Sequence, residues 1–293
     1  MRNTTIDVRQ VSTNVGAEIH GNLRQPMDER TTREVRTALT EHGVIFFRDQ
    51  NITPAQHLAF ATKFGEPDID PTASLGQVPG YPQICEVRKE PEETRNIGGN
   101  WHSDHSFDAH GPLGSVLLAR ELPPFGGDTM FASMYAAYDA LSDGLKKTLN
   151  GLRAVHAKTR AFAALPKDRD VSAAEKAEIQ ARFATREAVH PVTPLHPESG
   201  KRLLFVNPTY TVRFEGWTEK ESKPLLDFLF QHAARPEFTY RFQWREGSIA
   251  FWDNRAVWHY ALNDYHGERR LMHRIALKGT GFEGSTEQPR VAS

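Results

Sequence analysis

Residues 98–108, GGNWHSDHSFD, place two histidines and two aspartates within the seven positions from His102 to Asp108. In an extended segment residues i and i+2 project to the same side. The His102 imidazole and the Asp104 carboxylate can therefore converge on one ion while Ser103 faces away. In a chain with 13 histidines a single His-x-Asp is weak evidence, and two ligands need a third. Two histidines and one carboxylate would hold ferrous iron and leave positions open for substrate and oxygen. The candidate third ligand is His259, in FWDNRAVWHYALNDY. It follows a strand pattern and an Asp-Asn turn, and Trp258 and Tyr260 beside it could wall a dry pocket. The competing reading for such a histidine is core packing with a backbone hydrogen bond.

Two arginines bear on that choice. Read as a strand, RRLMHRIALKG puts Arg270, Met272, Arg274 and Ala276 on one face and Leu271, His273, Ile275 and Leu277 on the other. On a solvated face the arginines are ordinary surface charges. On an interior face each guanidinium needs an anion, which implies two small anionic ligands or one diacid. HPE at His196–Glu198 lies between prolines and a glycine and reads as a turn, and HGE at His266–Glu268 reads as a hairpin loop. Neither has an evident distant partner. In a strand His105 and Asp108 would point away from His102 and Asp104 or sit further along, and His105 is kept as a candidate substrate contact.

The elements that must hold these groups are mostly strands. PQICEVRK, GSVLLAREL, REAVHPVTPLHP, KRLLFVN, FTYRFQW, GSIAFWD and RRLMHRIALKG are short, rich in β-branched and aromatic residues, and separated by Gly, Pro or Asn. Tyr240, Phe242 and Trp244 alternate with polar residues, as a half-buried strand requires. Ahead of them, a helix capped near Asp28 stops at Gly43 and is followed by the strand VIFF. A second helix starts at Thr53 and Pro54 and runs toward Gly65. A third amphipathic helix begins near Thr218 and is expected to cover the outside of a sheet. Residues 160–188 are more charged than their surroundings and read as an insertion, a candidate lid.

At 293 residues a β-rich chain can still form one domain, here expected to span 1–293. With 36 basic and 37 acidic residues there is no broad field for nucleic acid or an anionic membrane surface. The single cysteine, Cys85, rules out an internal disulfide and zinc–thiolate chemistry and is expected to be a small buried hydrophobe. No apolar signal core or membrane-length apolar run is present, so the expected location is the cytoplasm, with self-association left open.

WHSDHSF, ELPPFGGDTMFASMYAAYDALS and WDNRAVWHYALNDYHGERRLMHR, in that order, resemble the taurine dioxygenase family of iron(II)- and 2-oxoglutarate-dependent oxygenases, with the likeness running from GAEIHG to IALKG. The resemblance implies a mainly β fold with flanking helices, a double-stranded β-helix or jelly roll. It implies that His102, Asp104 and His259 bind iron, that Arg274 pairs with the distal carboxylate of 2-oxoglutarate, and that Thr129 supports it. Arg270, eleven residues after His259, matches the arginine that meets the anionic group of the prime substrate, and Phe107 and Tyr210 match aromatic positions lining that pocket. Asp70 and Ala73 stand where the taurine enzyme has histidine and tyrosine, Gly98 where it has asparagine, and Tyr210 where it has phenylalanine. Hence the substrate is expected to be a small organic anion bulkier than taurine: a sulfonate, a sulfate ester or a carboxylate. The implied reaction uses O2 to convert 2-oxoglutarate to succinate and CO2 while hydroxylating that substrate, with loss of its acidic or aryloxy group where the hydroxylated carbon bears it. Retention of Asp104 argues against halogenation, because halide has no vacant carboxylate position. Two rivals stay open: a non-catalytic 2-oxoglutarate or metal sensor on the same fold, and a dioxygenase acting on a macromolecule.

Overall fold

Asp28 accepts the Thr31 amide at 2.7 Å and opens helix α1 (Glu29–His42), which ends where Gly43 takes a φ of 74° and returns its N–H to Leu39. Helix α2 (Pro54–Ala61) starts with a reciprocal capping box between Thr53 and Gln56. It stops at Ala61, short of Gly65, because Phe64 turns back into the core. The structure, a computed structural model, describes residues 5–69, 76–158 and 186–282. Asp70, Ala73 and all but residues 186–188 of the expected insertion lie outside that set.

The described chain is mainly β. An eight-stranded sheet has the order β1 (Asp7–Gln10), β2 (Ala17–His20), β3 (Val44–Phe47), β12 (Ile249–Asp253), β6 (Gly114–Glu121), β14 (Arg270–Leu277), β5 (Tyr81–Lys89) and β4 (Gly76–Val78). Only β2 and β3 pair in parallel. A three-stranded sheet, β11 (Thr239–Phe242), β7 (Thr129–Ser133) and β13 (Val257–Ala261), faces it. A second one joins β10 (Thr211–Phe214), β8 (Arg153–Ala157) and β9 (Glu187–Pro191). Two short helices, α3 (Met134–Asp139) and α4 (Asp143–Leu149), follow β7. Helix α5 (Glu219–Ala233) opens at Thr218 and packs Leu226, Leu229 and Ala233 with Phe214 of β10, so it does cover a sheet.

Both faces of the central strands of the large sheet are buried, which explains their near-continuous apolar runs. Ile45, Phe47, Ile249, Phe251, Ile275 and Leu277 pack under α1 and α2. Val44, Phe46, Ala250, Trp252 and Met272 point the other way, toward Phe131, Phe242, Trp244 and Val257 of the facing sheet. The alternation read for β14 therefore holds, and the face carrying Arg270, Met272 and Arg274 is the interior one.

Two expectations need correction. Residues 201–207, KRLLFVN, form no ladder beyond an isolated Leu195–Arg202 bridge. Their amides are divided between separate neighbours: Leu203 to Pro194, Leu204 to Met134 and Phe205 to Val192. Cys85 is half-buried rather than buried, because β5 has only the short edge strand β4 on that side.

Gly114 opens β6 between β12 and β14, where an added Cβ would lie 2.0 Å from the Trp252 carbonyl oxygen. Gly114→Ala must push strands apart, and it should cost about 1–3 kcal/mol, read as a lower urea midpoint. A second stability prediction concerns His57, fully buried on α2, whose ring nitrogens find no hydrogen bond among the described residues. Burial first, then the nearby His273, pulls its pKa down from 6.5 to about 3. Below about pH 6.5 the unfolded chain takes up a proton that the folded chain refuses. Stability present at neutral pH should therefore fall by about 1.4 kcal/mol per pH unit as the pH drops from 6.5 toward 3. Urea unfolding at about pH 7.5 and about pH 5.5 should show this loss, and His57→Leu should remove only the share that His57 contributes, since His156, His190 and His259 are held down by burial as well.

Candidate active site

The metal-ligand candidates meet at the edge of β13. His102 and His259 form an isolated antiparallel bridge, exchanging backbone bonds of 3.1 and 2.9 Å, and their rings stand 4.0 Å apart. The extended geometry expected of the HSD stretch holds at His102 only. The chain then turns, with His105 at a φ of 47°, and Asp104 reaches the histidines from that turn. One donor atom from each of His102, Asp104 and His259 lies within 4.8 Å of the others. Asp104 Oδ1 is 3.5 Å from His102 Nε2 and 3.6 Å from His259 Nε2. The His102 Nδ1 hydrogen points to the Asn100 carbonyl at 2.7 Å, which leaves the Nε2 lone pair for an ion.

The electrostatics suit the same use. Burial alone would raise the Asp104 carboxyl, but Arg274 and then the two histidines outweigh it and hold it well below the usual range. Burial, then His102, pulls His259 down to about 4, so its imidazole is neutral at neutral pH. Two imidazoles and one ionised carboxylate, all under 10 % exposed, are a donor set that fits a divalent transition-metal ion.

The two arginines divide differently from the expected pairing. Arg270 is 5 % exposed, and neither its Nε nor its Nη2 has a hydrogen-bond partner among the described residues. Its guanidinium lies 5.8 Å from the ring centroid of Trp244, whose Nε1 donates to Thr129 Oγ1 at 3.0 Å. Gly127, at a φ of 69°, lets the loop before Thr129 close on the Arg270 side chain, which a Cβ would meet at 3.2 Å. Thr129 thus stands with Arg270, not with Arg274. Arg274 instead reaches the metal-ligand cluster, with Nη2 3.1 Å from Asp104 Oδ2 and Nε donating to Ser115 Oγ at 3.2 Å.

Phe107 is 1 % exposed and meets Tyr210 edge to face at 4.9 Å, while Tyr210 is 6.4 Å from the His102 ring. His105 packs on Phe107 at 5.2 Å and its Nδ1 is 3.7 Å from Asp108, so it borders the aromatic pair rather than the metal ligands. Asp108 is clamped by Arg186 through two bonds of 3.0 and 2.6 Å.

The HPE turn does have distant partners, contrary to the expectation. His196 Nε2 is 3.0 Å from Asp253, Arg255 chelates Asp253, and Glu198 pairs with both Arg255 and Arg36. This network, buried at His196, Asp253 and Arg255, braces the turn that leads into β13 and His259. Ser115, Trp244, Asn100 and Asn254, whose Oδ1 accepts the Asp104 amide at 3.4 Å, support the site without having been singled out in the sequence. Ser115 is a polar residue inside an apolar strand, a signal that was present in GSVLLAR.

A buried triad of two histidines and one carboxylate between β-sheets is the donor set of mononuclear non-haem iron oxygenases. The family model for "Taurine catabolism dioxygenase TauD, TfdA family" matches residues 7–276, and the chain belongs to that family. An alkylsulfatase of Acinetobacter baylyi is 32% identical, over 97% of this chain and 90% of that protein. An alpha-ketoglutarate-dependent sulfate ester dioxygenase of Pseudomonas putida is 34% identical, over 94% and 90%. The crystal structure of AAD-2 with Mn(II) and N-oxalylglycine is 30% identical, with a TM-score of 0.76 over 94% of this chain and 98% of that one. No described helix is long and apolar enough to cross a membrane.

Proposed function

We propose that this iron(II)- and 2-oxoglutarate-dependent dioxygenase acts on sulfate esters of small organic alcohols. The observation that carries the reading is the different setting of two arginines on one face of β14: Arg270, buried, with no hydrogen-bond partner for Nε or Nη2 among the described residues and over the Trp244 ring that bonds Thr129, and Arg274 against Asp104 of the metal triad. A buried guanidinium without an anion is costly, and a carboxylate entering there relieves that cost. Arg270 and Thr129 accordingly hold the distal carboxylate of 2-oxoglutarate, and Arg274 meets the acidic group of the prime substrate. This exchanges the two arginine roles expected from the sequence. Phe107 and Tyr210 pack against the substrate's apolar part. The names of the alkylsulfatase and the sulfate ester dioxygenase support a sulfate ester over a sulfonate or carboxylate. The large sheet facing β11-β7-β13, with the triad at its edge, supports a double-stranded β-helix within a single domain.

When bound, ferrous iron supplies the coupling of O2 to 2-oxoglutarate decarboxylation and substrate C–H oxidation. The protein's part is to hold the anions, exclude water with Trp244, Phe107 and Tyr210, and keep Asp104 ionised. If the carbon carrying the sulfate is hydroxylated, its C–O bond to sulfate breaks and an aldehyde and inorganic sulfate leave. The test compares alkyl sulfates, alkyl sulfonates, aryloxyacetates and amino-acid derivatives for substrate-dependent succinate formation. Alkyl sulfates should be turned over best, with taurine poor or inactive, and Arg274→Met should raise the KM of the alkyl sulfate by about tenfold or more. Best turnover on taurine, or on an uncharged compound indifferent to Arg274, would refute the reading.

A further inference from the structure

The two oxygens of Asp104 face different partners. Oδ1 faces both imidazoles, at 3.5 and 3.6 Å. Oδ2 takes Arg274 at 3.1 Å and the Ser115 hydroxyl at 3.3 Å, and Arg274 Nε donates to that same hydroxyl. Asp104 is 6 % exposed and the Arg274 side chain 18 %, so little water reaches the pair. We propose that Asp104 acts as a charge latch on Arg274, so that a divalent metal, by drawing on the carboxylate, frees the guanidinium for the substrate's anionic group. Metal and anionic substrate then bind with positive coupling. This rests on the reading of Arg274 as the substrate's receptor.

The argument is one of charge. Without an ion, guanidinium and carboxylate cancel, and an arriving sulfate ester meets a neutral pair whose carboxylate repels it at close range. With a divalent ion on His102, Asp104 and His259 the same cluster is net positive, and little water intervenes to screen it. Linkage then requires the reverse effect as well: the anionic substrate must tighten metal binding by the same factor. A protein built this way does not retain substrate while it lacks its metal.

The alternative role for the same contact is that Arg274 and Ser115 only fix the Asp104 rotamer. The two roles give opposite results in Asp104→Asn, which keeps the shape and removes the competing charge. The experiment titrates hexyl sulfate by calorimetry into three forms: metal-free wild type, Mn(II)-loaded wild type and metal-free Asp104→Asn. The latch predicts that the last two bind about tenfold or more tightly than the first, within the usual range of about 5–150-fold for coupled sites. A second measurement does not depend on the variant's folding: the Mn(II) dissociation constant of the wild type, followed by the electron paramagnetic resonance of free Mn(II), should fall by the same factor with saturating hexyl sulfate. Equal hexyl sulfate affinity in all three forms overturns the latch and leaves the substrate reading intact. Tightening by Mn(II) but not by Asp104→Asn also overturns it, since the ion's own charge then suffices. Binding of hexyl sulfate to none of the three overturns the substrate reading and the latch with it.

Discussion

Arg270→Met is expected to raise the KM for 2-oxoglutarate by about 30-fold to several thousand-fold, the equivalent of about 2–5 kcal/mol for truncating one partner of a buried charge pair. Arg270 is almost fully buried, has no partner for Nε or Nη2 among the described residues, and stands with Trp244 and Thr129. Thr129→Ala removes one hydrogen bond and should cost only about 0.5–1.5 kcal/mol. Arg274→Met should leave the 2-oxoglutarate KM within about threefold, since that side chain is engaged with Asp104 and Ser115. Initial rates of succinate formation against 2-oxoglutarate concentration check all three. If Arg274→Met were the variant that lost 2-oxoglutarate affinity, the pairing expected from the sequence would be the correct one.

His259→Ala and Asp104→Ala are expected to lower turnover by at least about 10³-fold, because each removes a ligand from a site that supplies several kcal/mol of barrier reduction. They should also abolish the weak visible charge-transfer band that ferrous iron and 2-oxoglutarate give together in the absence of oxygen. The sheet should survive His259→Ala, because the bonds to His102 are made by the backbone. His105→Ala is the matched control: that ring touches Phe107 and Asp108 rather than the triad, so the band should persist. A band of unchanged intensity in His259→Ala at saturating iron would mean that His259 is not a ligand.

How much of this was legible in the sequence depended on range. The interior face of β14 was readable because period-two alternation is a local property of Arg270 to Leu277. The caps at Asp28, Thr53 and Thr218 were readable for the same reason. The different surroundings of the two arginines were not, because Arg270 and Arg274 share that face and differ only in what lies opposite. Thr129 comes from β7 and Trp244 from just beyond β11, and Asp104 and Ser115 from a turn and from β6, more than 20 residues away in every case. Strand β13 was hidden as well: its His259 pairs with Phe131 of β7, a strand that the pattern did not separate from its surroundings. His196 was read as a plain turn residue because its partner Asp253 lies 57 positions on. Local pattern reports which side a residue faces, and packing alone reports which residue it meets.

The most direct test of the central claim is stoichiometry on an alkyl sulfate. Wild-type protein with ferrous iron, 2-oxoglutarate and hexyl sulfate should consume O2 and form succinate, hexanal and inorganic sulfate in equal amounts, and should do none of this without air. Sulfate release that proceeds without O2 or 2-oxoglutarate, giving hexanol instead of hexanal, would make the reaction hydrolytic and contradict the account.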